Sequence, residues 1–78
     1  MPPQDHPTWL RAERRALGDR IRERRMWCNL TQERLAERAG VSRDTIQRIE
    51  RGTSDPRYGQ LARIARALDI PLAKLVGG

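Results

Sequence analysis

The sequence predicts one all-α domain of five helices, and three observations carry that prediction. Apolar residues recur at helical spacing in separate stretches, with Tyr58, Leu61, Ile64, Ala65 and Leu68 giving the cleanest 3-4 rhythm. Start and stop signals punctuate those stretches: Thr31 and Ser42 stand where N-caps are wanted, and Gly40 closes the run Leu35, Ala36, Ala39. At 78 residues the chain makes a single domain, near the lower limit for a core without covalent staples.

Taken in order, Met1 to Pro7 holds three prolines and no periodicity, so a disordered tail is expected there and a domain over 8–78. Thr8 is expected to cap a helix running from about Trp9 to Cys28. Leu10, Leu17, Ile21 and Cys28 fall within about 40° of one another on a helical wheel and form its apolar stripe. Gly18 is its weak point, at ~1 kcal/mol, and Asn29 can take the left-handed conformation that ends it. Arg11, Arg14 and Arg15 have two readings, phosphate contacts or a solvated helix face, and the second is preferred.

The second helix starts at the Thr31 cap and the third at Ser42. Leu30 with Leu35, and Val41 with Ile46, have the spacing of hydrophobic staples. Neither helix completes a capping box, since Arg34 and Thr45 occupy N3. Ser42, Ile46 and Ile49 mark the inward side of the third helix; Asp44, Gln47, Arg48 and Arg51 point away, with Arg43 at the flank of its first turn. A corner as short as Gly40-Val41 forces the two helices to cross steeply, as in a helix-turn-helix. Residues 51–57 read as a loop. A fourth helix follows from Tyr58, with Gly59 softening its first turn. Pro71 is placed at N1 of a fifth helix carrying Leu72, Leu75 and Val76.

The stretch Thr31–Gly52 contains Thr-Gln-Glu-x-Leu-Ala, then Gly-Val-Ser, then Ile-x-x-Ile-Glu-x-Gly. In this it resembles the phage-repressor and Cro type of helix-turn-helix, the xenobiotic-response-element family of bacterial regulators, over about Leu17 to Leu75. The resemblance implies a compact lambda-repressor-like domain whose third helix enters the major groove of double-stranded DNA. Such a helix meets DNA with its N-terminal residues, which nominates Arg43, Asp44, Gln47 and Arg48 as base contacts. Arg suits guanine and Asp suits cytosine N4. In the family the positions of Arg43, Asp44 and Arg48 read bases more regularly than that of Gln47. Asp44 and Arg48 also have the i, i+4 spacing of a surface ion pair.

Phosphate contacts are assigned to Thr31, at a helix N-terminus, to Gln32, which the family uses also to brace the first base reader, and to Arg51, Thr53 and Arg57. The resemblance further implies an ion pair between Arg25 and Glu50. Asp55 is expected to turn away from the DNA or to cap the fourth helix. The sequence departs from the family where Arg57 replaces a Ser or Thr cap and Asp69 replaces a Gly. The fifth helix is too short to bury three apolar residues with much gain, and in the family this region helps build a dimer. Leu72, Leu75 and Val76 are therefore assigned to a homodimer interface.

The net charge of +6 and a pI near 11.2 suit a polyanionic partner. Fifteen of the sixteen basic residues are Arg, a usage that genome composition alone can produce, and residues 41–57 hold a net charge of only +1. The charge supports DNA binding without locating it. Cys28 is the single cysteine, so no intramolecular disulfide forms, and no zinc site or other metal or cofactor is expected. No apolar run approaches the ~20 residues that span a membrane, and the N-terminus lacks a signal-peptide core, so a cytoplasmic protein is expected. An enzyme lacks parts: His6 is the single histidine, and no glycine-rich phosphate loop is present. The leading expectation is a repressor-like, sequence-specific DNA-binding regulator acting as a homodimer. The alternative is an antitoxin or adaptor whose main partner is another protein. With no ligand-sensing domain in the sequence, control is expected through concentration, a partner or competition.

Overall fold

The structure, a computed structural model, describes residues 7–77. The expected disordered tail, Pro7 apart, and His6 lie outside them. The first helix, α1 (Thr8–Trp27), runs unbroken for 20 residues. Its N-cap position is taken by Pro7 rather than Thr8. Pro7 sits at φ −56° and ψ 149°, a backbone its ring favours, and its carbonyl accepts from the N–H groups of Leu10 at 3.0 Å and Arg11 at 3.2 Å. Cys28 and Asn29 close the helix, Asn29 at φ 58° as expected.

Gly18 is not a weak point but a point of contact. A methyl group there would lie 2.5 Å from the carbonyl oxygen of Ile49 and 2.7 Å from that of Glu50. Glycine lets the backbones of α1 and α3 touch, a requirement that helix propensity cannot reveal.

Helices α2 (Gln32–Ala39) and α3 (Arg43–Arg51) have the expected caps, Thr31 accepting from the Arg34 N–H and Ser42 from the Thr45 N–H, each at 3.0 Å. Ser42 is exposed rather than inward because its oxygen is turned onto that first turn. Both helices end in left-handed glycines, Gly40 at φ 70° and Gly52 at φ 75°. Gly52 carries a second constraint: a methyl group on it would come within 3.2 Å of the Arg15 backbone.

Helix α4 (Tyr58–Ala67) begins at Arg57, whose side chain has no acceptor to offer as a cap. Gln60 compensates, its side-chain oxygen accepting from the Arg57 N–H at 3.1 Å. Asp69 then takes the left-handed position at φ 57°. The short α5 (Leu72–Leu75) has Pro71 at its N-cap, one residue earlier than predicted. Two arginines of α1 bind the ends of these helices. Arg24 donates to the carbonyls of Leu68 at 3.0 Å and Asp69 at 3.3 Å, and Arg20 to that of Leu75 at 3.2 Å.

Helix α1 packs on α3 and α5, α2 packs on α3 and α4, and α4 packs on α5. Ile21, Leu35, Ile46, Ile49, Ile64, Leu68 and Leu75 are fully buried where they meet. Each such side chain contributes roughly 1.5–3 kcal/mol by leaving water. Leu75 is thus a core residue of its own chain and is not open to a second copy. Leu72 is half-buried and Val76 is 48% exposed. They also face different grooves: Leu72 lines one with Tyr58, Ala62 and Ile70, and Val76 lines another with Leu10, Leu17 and Leu61. The three residues assigned to a dimer interface do not form one patch.

Candidate nucleic-acid interface

The orientation of α3 is set from beneath by a buried charge cluster. The Arg25 guanidinium donates to both Glu50 carboxylate oxygens, at 2.7 and 3.0 Å, and to the Leu30 carbonyl at 2.9 Å. Glu50 is the one buried charged residue among those described, 7% exposed, and it accepts a third bond from the Gln32 amide at 3.1 Å. No buried side-chain polar atom among the described residues is left without a partner. A buried carboxylate is costly unless its lone pairs are filled; here they are filled from α1 and from the first residue of α2. The Arg25–Glu50 contact joins the helices in which the sequence placed it.

Above this cluster α3 stands as a ridge between polar troughs. At its N-terminal end Arg43 lines a depression with Thr31, Gln32 and Glu33. Arg43 is exposed and makes no hydrogen bond or ion pair among the described residues. Gln32 donates its amide N–H to Glu50, and no bond from Arg43 to its amide oxygen is present among the described residues, so the brace inferred from the family is not formed here. Asp44 and Arg48 form the i, i+4 pair, at 3.0 Å, with both side chains more than half exposed. Gln47 is half-buried and lines a trough with Arg51, which is exposed. On the opposite flank Arg48 and Thr45 line a trough with Arg57 and Gln60. All four predicted base readers therefore lie on α3 outside the core cluster, and of the predicted phosphate residues Thr31, Gln32, Arg51 and Arg57 line the troughs.

Thr53 is differently engaged. Its hydroxyl donates to the Arg48 carbonyl at 3.2 Å, and its backbone N–H donates to the same oxygen at 3.1 Å. It caps α3 in both ways, and a phosphate contact from this hydroxyl requires that bond to break. Arg57 has an exposed side chain and no such bond. Thr31 keeps its hydroxyl proton, since its oxygen serves as an acceptor at the cap.

Asp55 lines the trough that Arg48 and Arg57 share, and its carboxylate is held by a partner that sequence reasoning did not identify. The Arg14 guanidinium grips its carboxylate with two bonds, Nε to Oδ1 at 2.6 Å and a second terminal contact to Oδ2. The hydrogen bond to Asp55 raises the Arg14 pKa above its ordinary value, so the guanidinium is charged throughout the working range of pH. The two residues are 41 positions apart, and no local pattern announces such a pair. The same holds for Arg20 and Arg24, whose role is to hold helix ends. No group that could hold a metal ion is found, and no helix is long and apolar enough to cross a membrane, among the described residues.

Five helices with a capped, glycine-cornered α2–α3 pair and a solvent-facing α3 define a helix-turn-helix domain. The sequence agrees: residues 21–75 match the family model HTH_3, Helix-turn-helix, and the chain belongs to that family. An uncharacterized HTH-type transcriptional regulator of Methanothermobacter thermautotrophicus is 54% identical over 48 residues, which cover 62% of this chain and 70% of the relative. Antitoxin HigA1 of Mycobacterium tuberculosis is 42% identical over 60 residues, 77% of this chain and 40% of the antitoxin. Among solved structures, the restriction-modification controller protein C.AhdI from Aeromonas hydrophila superposes with a TM-score of 0.80 at 34% identity, covering 82% of this chain and 97% of that one. The chain spans 38% of the length of two matched Sinorhizobium fredii regulators.

Proposed function

We propose that this domain is the DNA-binding element of a sequence-specific, repressor-like transcriptional regulator, working in the cytoplasm by binding rather than by catalysis. The observation that carries the reading is the state of α3: Arg43 free at its N-terminal end, with Asp44, Gln47 and Arg48 beside it, on a ridge flanked by polar troughs. A helix so presented fits the major groove, and the troughs suit the two phosphate backbones that border it. Arg43 and Arg48 would each donate to guanine O6 and N7. Asp44 would accept from cytosine N4, its pairing with Arg48 holding both heads in place. Thr31, Gln32, Arg51 and Arg57 would contact phosphates and fix the register without reading sequence.

The domain would act as a homodimer. The edge formed by α4 and α5 supports this, with Tyr58 75% exposed beside a groove that Ile70 and Leu72 line. Selection of bound sequences from a random duplex pool tests the function. A paired, two-fold motif supports it, and failure to enrich any sequence defeats it. The likeness to an antitoxin favours a second reading, in which another protein is the main partner. Co-purification of a specific protein, with no enriched DNA motif, would favour that one.

A further inference from the structure

The N-terminal half of α1, residues 8–20, precedes the segment matched by the family model, which starts at residue 21. It is nonetheless built onto the end of α3. Arg14 grips Asp55 in the loop after α3, and the Arg15 backbone lies against Gly52, the residue that follows Arg51. These contacts fix Arg15 beside Arg51 at the edge of a polar trough of ≈ 380 Å³ between α1 and α3.

The charges in this trough sort into two groups. At its base Arg25 is neutralised by the buried Glu50, and at its rim the exposed Arg22 is paired with Asp19 at 3.0 Å. Arg15 and Arg51 are exposed and have no hydrogen-bonding or ion-pair partner among the described residues. Two uncompensated guanidinium groups thus remain in a trough whose other charges are paired. Gln47 of α3 and Gln32 at the start of α2 line the same trough, so it is continuous with the face that carries the base readers. Guanidinium forks match phosphate oxygens in shape and charge. We propose that Arg15 and Arg51 form a phosphate clamp in which the N-terminal half of α1 takes a backbone phosphate of the DNA on which α3 is seated. Arg15 is the new contact. This rests on the DNA-binding reading above, and adds α1 to the elements that touch the duplex.

The test is the salt dependence of binding to a duplex that extends beyond the recognised half-sites. Each phosphate contact contributes about −0.9 to the slope of log K against log salt. Arg15→Gln should therefore flatten the slope by about 0.9 per protomer. It should lower affinity for preferred and altered sites by the same factor, while Arg15→Lys restores the wild-type slope. Arg38→Gln, at the far end of α2, should leave the slope unchanged and serves as the control for net charge. A wild-type slope in Arg15→Gln overturns the clamp while leaving the DNA-binding reading intact. So does an equal flattening in Arg38→Gln. If the wild-type protein binds no duplex at all, the DNA-binding reading fails and the clamp that rests on it fails with it. Competition by inorganic phosphate at fixed ionic strength separates the sources: phosphate that binds the wild type but not Arg15→Gln, and does so without displacing DNA, would show a free-anion site rather than a DNA contact, and would overturn the proposal.

Discussion

Gln32 donates its side-chain amide to the Glu50 carboxylate at 3.1 Å, so the residue that opens α2 is bonded to the one buried charge of α3. The first residue of α2 is in this way tied to the pair that orients α3. Gln32→Ala should accordingly do two things. It should lower stability by about 1 kcal/mol, the usual net worth of a hydrogen bond, and weaken preferred and altered DNA sites alike. A denaturant midpoint equal to wild type would show that the bond to Glu50 contributes nothing.

Arg25→Ala and Glu50→Ala should each cost about 3–5 kcal/mol, because each leaves the other charge buried and unmatched. Against a total stability of ~5–15 kcal/mol, either loss is large. The double replacement should cost less than the sum. Urea melts of the four proteins give the coupling directly, and strictly additive losses would mean that the two side chains do not act as partners.

Gly18→Ala separates two accounts by sign. If Gly18 were only a poor helix residue, Ala would stabilise by ~1 kcal/mol. The overlap with the Ile49 and Glu50 carbonyls, at 2.5 and 2.7 Å, instead predicts destabilisation of at least ~1–3 kcal/mol. Thermal melting settles which holds.

This residue also shows where sequence reasoning stops. What is local was legible: the Thr31 and Ser42 caps, the Gly40 corner and the left-handed Asn29 all follow from residue type and neighbours within a turn. The Arg25–Glu50 contact was legible only because the motif carries it. Gly18, Arg14 with Asp55, and the capping roles of Arg20 and Arg24 were not, since each depends on a residue from another helix whose distance no periodicity encodes. Leu75 was misplaced for a related reason. Four helical residues are too few to bury it alone, but α1 packs against α5 and closes the site.

Asp44→Ala should leave stability nearly unchanged, since an exposed i, i+4 pair is worth only ~0.3–0.5 kcal/mol. Its effect should appear on DNA, as relaxed preference at one base pair per half-site. A change confined to melting temperature would return Asp44 to a purely structural role.

The central claim is that Arg43 and Arg48 read bases from α3, and a base-by-base substitution scan of the selected operator tests it most directly. Run with wild type, Arg43→Ala and Arg48→Ala, the scan should show each mutant losing ~1–3 kcal/mol on the preferred site and becoming indifferent to one base pair per half-site. In a two-fold dimer those positions should occur twice, with half-site centres about 34 Å, one helical turn, apart. Mutants that lose affinity equally at every sequence would contradict the account, because arginines that touch only phosphate behave in that way.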